Sequence, residues 1–120
     1  MPARNYKEYE VWKDARALVK SVYELTRSFP FIERKGLVDQ IQRAVVSIPS
    51  NIAEGSARSN ADFARFLEIS LGSAYETETQ LILANDLGYI SEEQLDDVVH
   101  HIQHVIKQLT NFIDYLKKTK

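Results

Sequence analysis

Apolar residues recur three and four positions apart along nearly the whole chain, and nowhere does the pattern alternate with period two over a strand's length. From about Tyr9 to Ser28, Val11, Ala15, Leu18, Val22, Leu25 and Phe29 form one seam, the pattern of a helix packed against a neighbour. Phe29-Pro30 ends that segment, because a residue before proline is pushed out of the helical region.

The second segment spans roughly Lys35 to Ala57. Leu37, Ile41, Ala44/Val45, Ile48 and Ile52 hold helical phase straight through Pro49. Two separate helices would have no reason to keep that phase, so the pattern predicts one helix, kinked at Pro49. The proline removes an amide donor and crowds the carbonyl of Val45. Gly55 and the stretch "SARSN" then predict the turn.

The third segment opens at Ser59 or Asn60, both good caps, with Asp62 in its first turn. Phe63, Leu67, Ser70, Ala74, Thr77 and Leu81 are its stripe, and Gly88 ends it. The fourth begins with Ser91-Glu92-Glu93-Gln94, a capping box. Leu95, Val98/Val99, Ile102, Val105/Ile106, Leu109, Phe112/Ile113 and Leu116 follow as the cleanest heptad in the chain. Four such segments with short connections predict an all-α, antiparallel up-down four-helix bundle.

Length and charge narrow the picture. A chain of 120 residues suits a single domain over 1–120, with 1–7 expected to be flexible and 118–120 frayed. There is no cysteine, which excludes disulfides and thiolate chemistry and suits the cytoplasm. The longest run free of charge, Ala44–Ala53, is half of the roughly 20 residues a membrane span needs. The polar start "MPARNYKEYE" carries no secretory signal. The net charge of −2 divides into +3 over residues 1–65 and −5 over 66–120, too mild a split for a dedicated nucleic-acid footprint.

Chemistry is scarce. His100, His101 and His104 cluster with Asp97, and His100 and His104 share a helix face at metal-chelating spacing. That face points away from Ile102 and the core, so a solvated histidine patch is expected, with no metal and no cofactor. A buried di-metal site would need inward Glu-x-x-His on two helices. No Gly-x-Ser-x-Gly elbow accompanies the serines, and Gly36, Gly55, Gly72 and Gly88 stand singly, so no catalytic residue and no enzyme activity are expected.

Polar contact candidates lie instead on the second helix. Arg43, Ser47, Ser50 and Glu54 form one stripe with Asn51 at its edge, and Glu54 can pair with Arg58 four residues on. On the third helix, Glu78 falls between apolar rows. A carboxylate there is costly unless paired. The expectation is a largely buried Glu78 meeting an arginine, Arg43 first.

The apolar surface exceeds what one core needs. Trp12, Val19 and Tyr23 make a second stripe on the first helix. Val46, Pro49, Ala53 and Ala57 widen the arc of the second, and Ile69, Leu83 and Leu87 sit far from the core stripe of the third. Small monomers rarely expose large apolar patches, so Trp12, Val19, Tyr23, Val46, Ala53, Ile69 and Leu83 are the candidate interface of a homo-oligomer.

Three stretches carry a family likeness: "YEVWKDARALVKSVYELTRSFP", "QIQRAVVSIPSNIAEG" and "FLEISLGSAYETETQLILANDLGYIS". In these, matched in order over roughly residues 6–117, the chain resembles the four-helix-bundle proteins encoded in intervening sequences of bacterial 23S rRNA genes. That family in turn resembles accessory proteins of diversity-generating retroelements. The resemblance implies small bundles that assemble into rings, typically pentamers, and implies no enzymatic activity. One departure is visible: after Glu54-Gly55 the family usually has an aromatic and a small residue before the arginine, where this chain has Ser56-Ala57-Arg58.

The leading reading is therefore a non-enzymatic, self-assembling scaffold or adaptor whose partners are itself, as a pentamer, and a further protein, with no membrane. The alternative is an RNA- or DNA-binding accessory protein. Lys7, Lys13, Arg16, Lys20 and Arg27 are its best basic stripe, but Glu8, Glu10, Asp14 and Glu24 dilute them.

Overall fold

In the computed structural model, which describes residues 4–119, the apolar stripes become four helices: α1 (Glu10–Thr26), α2 (Leu37–Ser56), α3 (Asn60–Asp86) and α4 (Glu92–Lys118). Short 3-10 helices, Tyr6–Glu8 and Phe31–Glu33, precede and follow α1, and no strand occurs among the described residues.

The helix ends follow from local chemistry. Ser59 caps α3 by accepting the Asp62 amide at 3.3 Å. Ser91 and Gln94 satisfy each other's backbone amides at the start of α4, at 3.1 and 2.9 Å. α3 closes on Gly88 at φ 82°, a left-handed conformation in which a Cβ would be strained. α1 stops at Thr26, three residues short of Phe29. Thr26 and Ser28 turn their hydroxyls back onto the carbonyls of Tyr23 and Leu25, while Phe29 still reaches the core.

One apolar cluster joins all four helices. Leu18, Ile41, Ile48, Ile52, Phe63, Leu67, Leu81, Ile102 and Leu109 are fully buried within it. Each such side chain stabilises the fold by about 1.5–3 kcal/mol relative to exposure. Rings close both ends: Phe63 and Phe112 meet edge-on with centroids 5.1 Å apart, and Phe29 meets Tyr89 at 5.3 Å.

α1 packs against α2 and α4, and α3 also packs against α2 and α4. From Ser70 to Ser73 on α3, the partners on α2 step back from Ile48 to Ser47. From Glu68 to Glu78, the partners on α4 step back from Lys117 to Gln103. α3 therefore runs opposite to both neighbours.

α2 is a single unbroken helix through Pro49. Side-chain donors, one from α3 and one from α2 itself, reach carbonyls near the proline. Ser70 Oγ binds the Ile48 carbonyl at 2.8 Å, and Asn51 Nδ2 binds that of Ser47 at 2.9 Å.

Of the expected loose ends, residues 1–3 and Lys120 lie outside the described residues. Within residues 4–7, Arg4 Nη1 donates to the Arg58 carbonyl at 2.7 Å, Arg4 also bonds Asn60, and Asn5 caps the first short helix. At the other terminus Thr119 bonds back to Tyr115 and accepts from Asn60.

Candidate functional site: polar groove and apolar faces

The polar stripe of α2 divides in two once α3 is in place. Ser47 and Asn51 turn into the α2–α3 seam, where Asn51 Nδ2 donates to Ser47 Oγ and Ser73 Oγ donates to the same oxygen, both at 2.9 Å. Ser50 and Glu54 stay exposed. Glu54 pairs with Arg58 at 3.6 Å, and the Arg58 guanidinium lies over the Phe66 ring, 4.6 Å from its centroid. Such exposed pairs contribute about 0.2–1 kcal/mol.

Two polar expectations need correction. Arg43 is exposed and pairs with Asp39 one turn back at 3.0 Å, so it does not reach Glu78. Glu78 is half-buried and lies on the α4 side of α3, where it accepts a hydrogen bond from Gln103. Gln80 of α3 is also a buried polar residue, only 6% exposed. Its amide bonds Glu76, while its Oε1 has no hydrogen-bond partner among the described residues.

Of the histidines, His100 and His104 are exposed, while His101 is half-buried at the α1–α4 seam. His101 Nε2 lies 3.2 Å from the Asp14 carbonyl, and His104 Nε2 lies 3.3 Å from the Asp14 carboxylate. A helical wheel treats α4 as facing one direction, whereas α4 has flanks covered by α1 and α3. Among the described residues no three His, Cys, Asp or Glu converge as a metal site.

The surplus apolar residues separate into used and unused ones. Trp12 and Val19 pack against the core as half-buried residues. The Trp12 ring meets Tyr6 edge-on at 5.3 Å and carries the Arg16 guanidinium. Ala53 is half-buried, while Tyr23 and Val46 are exposed. The outward row of α3 stands open, with Ile69 at 51%, Leu83 at 47% and Leu87 at 58% exposure. Tyr75 and Ile82 are exposed on another flank of α3.

Sequence periodicity missed the two most exposed large apolar residues among those described, Phe31 (79%) and Ile32 (84%). They belong to no helical stripe. Their signal was the run "FPFIE" placed in a connection that should be polar.

No helix among the described residues is long and apolar enough to cross a membrane. The family model of the 23S rRNA-intervening sequence proteins matches residues 7–111. Among solved structures, the chain is similar to a protein of unknown function from the S23 ribosomal protein family of Bacteroides thetaiotaomicron. The two are 31% identical with a TM-score of 0.78, over 86% of this chain and 97% of that one. No curated protein matches the chain.

Proposed function

The chain belongs to the 23S rRNA-intervening sequence protein family, and from that footing we propose that it acts without catalysis, as a self-assembling helical-bundle scaffold or adaptor in the cytoplasm. The observation that carries this reading is the open row Ile69, Leu83 and Leu87 on α3. A small monomer gains nothing from presenting these side chains to water, and covering them is the ordinary source of association energy.

Tyr23 on α1 and Val46 on α2 supply a second exposed apolar area. α1 and α3 do not pack on each other, so the Tyr23 area and the α3 row occupy different faces of the bundle. Two different faces that meet head to tail generate a ring where the rotation closes. A count of five rests on what the family resemblance implies, rings that are typically pentamers. A non-catalytic role fits polar groups that satisfy one another, as in the Ser47–Asn51–Ser73 cluster, in place of converging on an open cleft.

Light scattering on a size-exclusion column tests both parts. The expected mass is five times the 13.8 kDa of one chain. A monomer at micromolar concentration refutes association, whereas a dimer or tetramer keeps association and refutes the ring of five.

A further inference from the structure

Where α1 passes into α2, a cleft of about 520 Å³ opens between Tyr23 of α1, Arg27, Phe31 and Arg34 of the connection, and Val38 and Gln42 of α2. Its charge is one-sided. Glu33, the only acid between Arg27 and Gly36, is turned inward: it accepts the Tyr89 hydroxyl at 2.7 Å and the Leu37 amide at 3.2 Å. Arg27, Arg34 and Lys35 are exposed, and none of them pairs with a carboxylate among the described residues.

Beside these cations stand the most exposed large apolar groups among the described residues. The Arg34 guanidinium lies over the Phe31 ring, 5.0 Å from its centroid, and Ile32 follows directly. Arginine and aromatic side chains next to a concavity are the composition of binding hot spots.

We propose that this cleft docks a short acidic peptide segment bearing one bulky apolar side chain. Its carboxylates meet Arg27 and Arg34 through charge-assisted hydrogen bonds, and its apolar side chain covers Phe31, Ile32 and Val38. A nucleic-acid strand suits the place less well. Ile32 offers no ring for a base to stack on. The first turns of α4 at this end expose Glu92, Glu93, Asp96 and Asp97, which disfavour any long polyanion, whereas a short peptide carries only the few charges that Arg27 and Arg34 meet. The inference names a partner class beyond self-assembly, and light scattering on the same samples separates loss of the ring from loss of docking.

The test is fluorescence anisotropy with a labelled Glu-Glu-Phe-Glu-Glu peptide at low salt, beside its glutamine counterpart and an oligothymidylate. Circular dichroism confirms that each variant keeps its helix content. Saturable binding of the acidic peptide is expected, at least tenfold tighter than the glutamine control. The double change Arg27→Glu with Arg34→Glu should weaken it by at least about tenfold, and Phe31→Ser by several-fold. Three results each overturn the proposal: no saturation up to millimolar protein, affinity indifferent to the charge reversal, or tighter binding of oligothymidylate than of the peptide.

Discussion

The Tyr89 hydroxyl donates a 2.7 Å hydrogen bond to the carboxylate of Glu33, joining the α3–α4 turn to the connection between α1 and α2 across 56 residues of sequence. The same carboxylate holds the first amide of α2, so one side chain serves as a helix cap and a tie between two loops. It also withdraws the connection's only acid from the surface, which leaves Arg34 and Lys35 uncompensated.

This bond sets a pH dependence. Donation of the hydroxyl hydrogen bond to Glu33, aided by partial desolvation and the nearby negative charge, holds the Tyr89 phenol above its ordinary 10.0. A pKa raised in the folded state gives stability that is whole below the unfolded value and lost as pH rises through the folded one. Ultraviolet difference titration should show one tyrosine of the six ionising last, and Tyr89→Phe should remove that phase while lowering the thermal midpoint. An unchanged titration in Tyr89→Phe refutes the assignment.

Gly55 and Gly72 are both helical glycines, yet alanine should act oppositely at each. A Cβ at Gly55 would lie 2.6 Å from Phe66 Cβ and 2.9 Å from Phe63 Cδ1, whereas one at Gly72 meets nothing within 4 Å. Overpacking at Gly55→Ala should cost about 1–3 kcal/mol, exceeding the gain in helix propensity. Gly72→Ala should stabilise by about 0.5–1 kcal/mol. Urea midpoints compared at equal protein concentration check both signs.

Charging the open row of α3 should disperse the assembly. Ile69→Glu and Leu83→Glu each replace an exposed side chain, so the bundle should keep its helix content while the light-scattering mass falls toward 13.8 kDa. An unaltered mass in both variants would show that association uses other surfaces.

The start of α4 depends on a reciprocal cap. Ser91→Ala removes the acceptor for the Gln94 amide and should destabilise by about 1 kcal/mol in chemical denaturation. Gln94→Ala should cost less, because its partner, the Ser91 amide, is exposed and returns to water.

Family membership and the all-helical bundle were legible in the residues quoted at the outset, because a stripe of three-four spacing is a strong and redundant signal. The contact residues were less so. The Glu54–Arg58 pair is found where i,i+4 spacing puts it, at 3.6 Å. The expected Glu78–Arg43 meeting does not occur, because it required the rotation of α3 as well as its axial level. Position 78 is at the right height for α2 but turned toward Gln103 of α4.

The sequence by itself determined the features that are decided within a turn or two of chain: four amphipathic helices, the Ser91 cap, a cap at Ser59 or Asn60, the turn at Gly88, and a helix continuous through Pro49. Each depends on neighbours at most a few residues away, so residue type and spacing suffice. Tertiary structure alone decided which flank of each helix is covered. It laid Trp12 against the core but left Leu83 open, brought His104 to Asp14, drew Glu33 inward to Tyr89, and bared Phe31 and Ile32 beside Arg34. Those outcomes depend on the rotation and axial offset of every helix against its two neighbours. The packing of the whole core sets these together, and no local stretch of sequence encodes them.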